Sequence, residues 1–341
     1  MKDSRPSSVT IQQVADLAQV SSKTVSRVLN EEPAVREVTR NRILKAIEEL
    51  DYRPNLNARG LAGDRSFLIG LFCDKPGDYL SEFQAGAVQR CRESAFHLMV
   101  EPWDGASPDV GRQVHTLLRQ LRLEGVILLP PLSDHPLILS KLAEAAIPTV
   151  RIAPKREPSD SPSVGIDDRT AARRMTAHLL DLGHRAIGFI RGPPEHGATE
   201  QRYLGFTDEM RARGVPAKSQ WIQTGNFIFT DGLACAERML RGATRPTAVF
   251  ASNDDMAAGT IMAAHEMGLS IPNRLSVAGF DDSYVAQVIW PRLTTVHQPT
   301  YEMAHQAADM LFRSLGEEGP PKSVEIPYRM VCRESTGPRP S

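Results

Sequence analysis

Apolar positions between residues 10 and 50 recur at helical spacing, and they predict three short amphipathic helices that bury one face each. Thr10 can cap the first helix, because Gln13 three residues later completes a capping box. The inward positions predicted for the three helices are Ile11, Val14, Ala15 and Ala18, then Val25, Val28 and Leu29, then Ile43, Leu44, Ile47 and Leu50. Three helices of this kind form a small bundle.

From Phe67 onward, short apolar runs alternate with amphipathic helices, a rhythm typical of a parallel sheet covered by helices. The predicted strands are 67–73, 97–101, 125–129, 148–152, 187–191, 247–251 and 275–280. The predicted helices lie near 83–95, 109–122, 136–146, 169–182, 199–213, 231–241, 255–268 and 300–315. These units are too many for one ordinary sheet, so we predict two doubly wound parallel-sheet lobes.

The predicted organisation is a helical head over residues 1–53, a connector over 54–65 and a large α/β domain over 66–341. The first lobe is expected at about 66–163 and 293–323, and the second at about 164–290 and 324–336.

Composition adds little to this division. The net charge is −1, and residues 1–65 carry 11 Lys and Arg against 9 Asp and Glu, so bulk charge does not indicate a nucleic-acid partner. The four cysteines have no CxxC spacing, so no metal or redox site is expected, and buried small side chains in a reducing compartment are the simpler interpretation. The start lacks the apolar stretch of a signal peptide and no segment approaches a membrane span, so we expect a cytoplasmic protein.

The segment Ala15–Asn30 has the pattern of a helix-turn-helix. Ala15 supplies the small residue inside the first helix, and Val20 supplies the apolar anchor after the turn. The outward positions of the second helix are Ser22, Lys23, Ser26 and Arg27. Lys and Arg can donate to guanine in the major groove, whereas Ser and Thr more often hold phosphates. A plain helical hairpin with a polar face is the alternative.

Residues 53–62 are too short and polar for a stable isolated helix, and Gly60 weakens one further. We expect this connector to be disordered when free and helical only when paired and docked. A plain linker is the alternative.

Polar side chains follow several predicted strands, at the sheet edge where ligands bind in open α/β folds. They are Asp74, Arg191, Asn253, Asp254 and Asp281. Aromatic rings that could stack on a sugar are Tyr79, Phe227 and Trp221. Simpler roles remain open: Asn253, Asp254 and Asp281 as caps, Trp221 as core, and Trp290 as packing at a lobe crossing.

The motifs VTIQQVADLAQVSSKTVSRVLN, TRNRILKAIEELDYRPN and ARGLAG resemble the lactose/galactose-repressor (LacI/GalR) family, and the resemblance spans essentially the whole chain. It implies lobes of the periplasmic-binding-protein type. It also implies base reading by Ser22, Lys23 and Arg27, and phosphate contacts by Thr10, Ser21, Thr24, Ser26 and Asn30. In the connector it implies that Leu61 wedges into the minor groove, flanked by contacts from Asn55 and Ala58.

In the α/β domain, the resemblance implies an effector grip by Arg202 of ATEQRYLGF, with Asn253, Asp254, Asp281, Tyr79 and Phe227 as further contacts. We add Asp74 from its place after the first strand. Three positions depart from the family pattern: Gln19 and Asp51 replace glycines, and Arg36 replaces a capping Ser. We expect a slightly strained head.

The expected function is that of a homodimeric repressor, without cofactor or metal and without membrane association, whose affinity for a near-palindromic operator is controlled by a sugar or sugar derivative. Alternatives are a nucleobase or protein corepressor, a solute-binding module without transcriptional role, and a sugar-processing enzyme. No GxSxG, P-loop or HExxH motif occurs, so no enzyme is predicted.

Overall fold

The computed structural model describes residues 9–29, 35–52, 65–74, 77–155, 161–242, 244–316 and 321–340. Its contacts divide the chain into two compact units, Met1–Ser66 and Phe67–Ser341. Within the part of the chain that the structure describes, every helix is too short or too polar to span a bilayer.

The first unit contains the three predicted helices, α1 (Ile11–Leu17), α2 (Ser22–Leu29) and α3 (Glu37–Glu49). The predicted apolar faces of α1 and α2 form its core, with Val14, Ala15, Ala18, Val25 and Val28 buried. The prediction for α3 was wrong at one position. Leu44 is 50% exposed, whereas Ala46 is buried beside Ile43, because a straight helix of 3.6 residues per turn brings i and i+3 to the same side.

Two residues of this unit adopt the left-handed backbone that favours glycine. Gln19 has φ 51° and Asp51 has φ 43°. Each closes its helix with a Schellman turn: the amide of Val20 bonds the carbonyl of Ala15 after α1, and the amide of Tyr52 bonds the carbonyl of Ile47 after α3. Arg36 begins α3 without a side-chain cap. The expected strain therefore lies at the two places where glycine is replaced.

The second unit contains two parallel sheets, as predicted. The first sheet has strand order β11-β5-β4-β3-β1-β2, built from β1 (Leu68–Cys73), β2 (His97–Pro102), β3 (Gly125–Leu128), β4 (Thr149–Ile152), β5 (Ser163–Gly165) and β11 (Val324–Glu325). The helices associated with it are α4 (Asp78–Glu93), α5 (Val110–Gln120), α6 (Pro136–Glu144) and α12 (Thr300–Leu315).

The second sheet has strand order β7-β6-β8-β9, built from β6 (Ile187–Arg191), β7 (Ile222–Thr224), β8 (Ala248–Ala251) and β9 (Ser276–Ala278). Its helices are α7 (Asp168–Asp181), α8 (Gly197–Ala212), α9 (Phe229–Leu240), α10 (Asp254–Glu266) and α11 (Tyr284–Val288). An antiparallel pair, β10 (Thr295–His297) and β12 (Arg329–Val331), lies beside the end of β9, to which isolated bridges connect it.

The lobe boundaries need a small correction. Residues 164–165 and 324–325 were assigned to the second lobe, but β5 and β11 pair with each other in the first sheet. Residues 293–297 were assigned to the first lobe, but β10 pairs with β12 and Thr294 bridges Ala278 of β9, so they belong to the second. Strands β5 and β11, together with β7, β10 and β12, were not predicted, because runs of two or three residues give no readable periodicity. The chain therefore crosses between lobes just after Gly165, near Gln298 and just after Glu325.

Replacing Gln19 with Gly should stabilise the head by about 1 kcal/mol, because glycine adopts a positive φ without the cost that a Cβ imposes. The free energy of local opening, measured by hydrogen exchange over residues 9–29 and 35–52 of the full-length protein, checks this. Lys45→Gly, in the exposed middle of α3, is the matched control and should destabilise its helix by about 1 kcal/mol. Equal losses in both variants would contradict the interpretation of the turn.

Candidate nucleic-acid interface and effector cleft

The outer face of α2 carries the predicted DNA-reading residues. Lys23 and Arg27 are exposed and Ser22 and Ser26 are half-buried, while Val25 faces the core. The face is therefore polar and cationic over an apolar anchor, the arrangement that a recognition helix needs.

Hydroxyl groups at the helix starts already have partners within the head. Ser21 Oγ accepts from the amide of Thr24 at 3.2 Å and lies 2.9 Å from Thr24 Oγ1. The predicted capping box is confirmed: Thr10 donates its amide to Gln13 Oε1 at 2.8 Å, and Gln13 donates its amide to Thr10 Oγ1 at 3.4 Å. These caps fix the entry of both helices, and the phosphate contacts stay predictions. Asn30, Asn55, Ala58 and Leu61 lie outside the described residues.

In the second unit, Arg202 lies at the centre of a buried ionic cluster, with only 4% of its surface exposed. Its Nε donates to Asp168 Oδ1 at 2.8 Å, and its Nη1 donates to the carbonyl of Ser252 and lies 3.5 Å from Asp281 Oδ1. The guanidinium carbon lies 3.6 Å from the centre of the Phe280 ring. Burial alone would lower the pKa of Arg202, but the two carboxylates outweigh it and raise that pKa, so the guanidinium stays charged.

Asp281 is positioned by a backbone that only a few residue types tolerate. Its φ is 118° and that of Asp282 is 60°, an unfavourable conformation of the kind that clusters at functional sites. Gln298 Nε2 donates to Asp281 Oδ1 at 2.6 Å. Burial raises the pKa of Asp281 to about 6, against the opposing charge of Arg202. The carboxylate therefore titrates close to neutral pH.

Tyr79, on α4, is a side chain of the first lobe that lies near this cluster. Its ring stacks on Phe83 of the same helix at 6.2 Å. Burial raises the pKa of the Tyr79 hydroxyl, the negative charge of Asp281 raises it further, and the positive charge of Arg202 opposes both. The phenol therefore stays protonated and can donate a hydrogen bond into the same space.

Phe227 and His196 form an aromatic corner on the second lobe. Their rings meet edge to face at 5.1 Å, and Phe227 has φ 60°. A Cβ added at Gly192 would lie 2.1 Å from Cζ of Phe227, so glycine is needed for the ring to fit there. Burial and the nearby charge of Arg202 lower the pKa of His196 to about 4, so the imidazole is neutral at pH 7.

Asn253 and Asp254 have clear structural roles. Asn253 Oδ1 caps α10 by accepting from the amide of Met256, and its Nδ2 donates to the carbonyl of Phe227, both at 3.0 Å. Asp254 is 1% exposed and accepts from Thr295 Oγ1 at 2.6 Å and from the amide of Ser283 at 2.8 Å. Capping by Asn253 is confirmed, and effector contact by either side chain stays a prediction.

The remaining candidates are less central. Asp74 is half-buried at the end of β1. Arg191 pairs with Glu200 at 2.9 Å. Trp221 belongs to the core, with 4% of its surface exposed, and donates to the carbonyl of Thr244. The prediction that Trp290 packs at a lobe crossing was wrong, because its side chain is 76% exposed in the single chain.

Comparison with known proteins agrees with both units. Residues 10–55 match the family described as "Bacterial regulatory proteins, lacI family", and residues 176–336 match the periplasmic binding protein-like domain. Catabolite control protein A of Priestia megaterium is 31% identical over 335 residues, covering 96% of this chain and 99% of that protein. The chain belongs to the lacI family of bacterial regulatory proteins.

Solved structures extend this result. The lac repressor dimer bound to operator and the anti-inducer ONPF superposes with a TM-score of 0.81 at 27% identity, covering 97% of this chain and 99% of that one. The complex of the transcriptional regulator CelR with cellobiose gives 0.75 at 28% identity, covering 97% and 100%. This lacI-family protein is therefore a DNA-binding transcriptional regulator, with a helix-turn-helix head and a periplasmic-binding-protein-like domain.

Sequence reasoning missed three residues of the cluster in this lacI-family regulator. Asp168 opens α7 three residues after β5, and Gln298 directly follows β10. Neither residue was recognised, because neither strand was predicted. His196 lies in the GPPEHG loop, which was interpreted as a cleft loop, but no pattern singled out its ring. Among the described residues, no group of His, Cys, Asp and Glu side chains is arranged to hold a metal ion.

Asp281 should make stability depend on pH. Its folded pKa of about 6 exceeds the unfolded value of about 3.9, so the folded state binds the proton more tightly. The contribution of Asp281 to the free energy of unfolding is therefore favourable at low pH and is lost as the pH rises through 6. The free energy of unfolding is measured by urea denaturation at pH 5.5 and at pH 7.5. Between these two values, the difference between Asp281→Asn and wild type should shift in favour of the variant by about 1 kcal/mol, because only the wild type loses the contribution of the protonated Asp281.

The difference between variant and wild type is the quantity to measure, because His178, His184 and His196 have lowered pKa values and change stability in the opposite direction. A difference that does not vary with pH would contradict the titration of Asp281.

Proposed function

We propose that this chain is a homodimeric cytoplasmic repressor whose operator affinity is controlled by a small effector, a sugar or sugar derivative, bound between the two lobes. One observation carries the proposal: polar and aromatic side chains from both lobes converge on Arg202. The second lobe contributes the carboxylates of Asp168 and Asp281 and the rings of Phe227 and His196, and the first lobe contributes the protonated phenol of Tyr79. A cleft with a few convergent polar groups and aromatic walls is the usual form of a small-molecule site.

A sugar suits this lining better than a purely apolar molecule. Asp281 can accept from hydroxyl groups, Arg202 and Tyr79 can donate to them, and the ring of Phe227 can cover an apolar sugar face. The similarity to the CelR–cellobiose complex supports the same class.

The dimer is proposed from an exposed apolar surface on the second lobe. Its large hydrophobic side chains are Ile228, Phe229, Met262, Tyr284, Val288 and Trp290. They come from neighbouring elements, because α10 packs against both α9 and α11. Exposed apolar groups concentrated in one region mark protein interfaces, and a two-fold dimer would present two heads to two half-sites. The lac repressor, a structural relative, is a dimer on its operator.

Arg27→Ala should cost about 1–3 kcal/mol at one base position of the operator and relax the preference there, because the exposed guanidinium is proposed to donate to a base edge. Competition binding against a library of operator variants measures this loss position by position.

Lys45→Ala, on the exposed side of α3, is the matched control and should leave the base preference unchanged. The same assay tests the dimer, since a fragment with a single half-site should bind at least about 100-fold more weakly than the full operator. Unchanged preference in Arg27→Ala would remove the residue from base reading, and equal affinity for one half-site would contradict the dimer.

Arg202→Ala should abolish the effector response while leaving operator binding intact, because the head forms a separate unit. Operator release is measured across a screen of sugars, sugar acids, sugar phosphates and purines, with thermal shift as the binding readout. Arg213→Ala, at the exposed end of the same helix, is the control and should respond like wild type. A normal response in Arg202→Ala would refute the site, and a response to purines alone would refute the sugar class.

A further inference from the structure

The charges buried in the cleft limit what can bind there. Arg202 contributes one positive charge, and Asp168 and Asp281 contribute two negative charges within 3.5 Å of it. The side chains of Arg202 and Asp168 are 4% and 7% exposed, so water screens this cluster poorly. The charge of Arg202 is therefore already balanced by carboxylates of the protein itself.

Among the described residues, Arg191 and His196, the half-buried basic side chains near this cluster, do not supply a free charge either. Arg191 pairs with Glu200 at 2.9 Å, and its guanidinium carbon lies 4.2 Å from the centre of the Tyr203 ring. His196 is held neutral by burial. Lys155 keeps its charge, because its Nζ donates to a neutral group, the carbonyl of Pro194, at 3.1 Å, but this side chain is exposed to water, which screens it. A carboxylate or phosphate beside Arg202 would therefore lie close to two acidic groups and would find no unpaired buried cation among these side chains.

Hydroxyl groups beside Arg202 can serve a neutral ligand. Within the described residues, the hydroxyls of Thr199 and Ser252 are buried without a hydrogen-bond partner. Thr199 precedes Arg202 by three positions on α8, and Ser252 presents its carbonyl to Arg202. An uncharged molecule rich in hydroxyl groups can use such groups, whereas a buried ion without a counter-charge costs several kcal/mol.

We propose that this cleft selects its effector by charge, so that it accepts an uncharged sugar and rejects the acid and phosphate forms of the same sugar. The inference rests on the proposed function and narrows it. Asp168 is then a specificity residue that acts through Arg202, because it occupies the guanidinium edge that an anionic ligand would need.

Calorimetry on the full-length protein tests this with two matched sets of a neutral sugar, its acid and its phosphate. The first set is glucose, glucuronate and glucose 6-phosphate, and the second is galactose, galacturonate and galactose 6-phosphate. Cellobiose is added as a larger neutral sugar. The neutral member should bind at least about 100-fold more tightly than its charged forms, the difference expected for an uncompensated buried ion.

Asp168→Asn should raise the ratio of anion to neutral affinity at least about tenfold, because it removes one of the two charges on Arg202 and keeps an oxygen that can accept from Nε. Asp181→Asn is the control. This aspartate ends the same helix, is 63% exposed and pairs with Arg213 at 2.9 Å, so its variant should keep the wild-type ratio. Glu200→Gln frees Arg191 and should shift the ratio in the same direction, which keeps the test informative if Asp168→Asn does not fold.

A charged form that binds wild type as tightly as its neutral parent would overturn charge selection while leaving the effector site standing. An unchanged ratio in both Asp168→Asn and Glu200→Gln would do the same. A protein that binds none of these sugars in any form would instead contradict the proposed function, and this inference with it.

Discussion

A buried guanidinium cannot remain in the interior without partners, and this constraint organises the two-lobed unit. Arg202 takes one carboxylate from Asp168, just beyond the first lobe crossing, and one from Asp281, which Gln298 holds at the second crossing. The group proposed to meet the effector is therefore fixed by the segments about which the lobes would move. A ligand that displaced one of these contacts would act directly on a segment that connects the lobes.

Backbone strain has different meanings in the two units. In the head, Gln19 and Asp51 occupy left-handed turns that glycine would close at lower cost, so stability is lost without a visible gain. In the cleft, Phe227 and Asp281 also have positive φ, and there the unusual backbone presents one ring and one carboxylate toward the same space. Packing against Gly192 and the hydrogen bond from Gln298 hold them there.

Much of the architecture was readable from local patterns. The seven predicted strands and eight predicted helices of the large unit were found within about five residues of their expected bounds, because the apolar runs and amphipathic stretches that predicted them are long enough for a distinct periodicity. The five-residue helix α11 was not predicted. Five strands of two or three residues were missed, and with two of them the polar residues that follow, Asp168 after β5 and Gln298 after β10. Short strands at crossings are specified by their neighbours in the sheet, and no periodicity within the strand itself predicts them.

The sequence by itself determined the order of elements, the helix-turn-helix, the kind of fold and the candidate residues, because hydrophobic period, caps and motifs act over a few neighbouring positions. Only the tertiary structure decided which polar residues meet. Asp168, Arg202 and Asp281 are separated by 34 and 79 positions along the chain and still form one cluster. Long-range packing sets distances between such residues, and burial then sets their charges, so neither property can be read from local pattern.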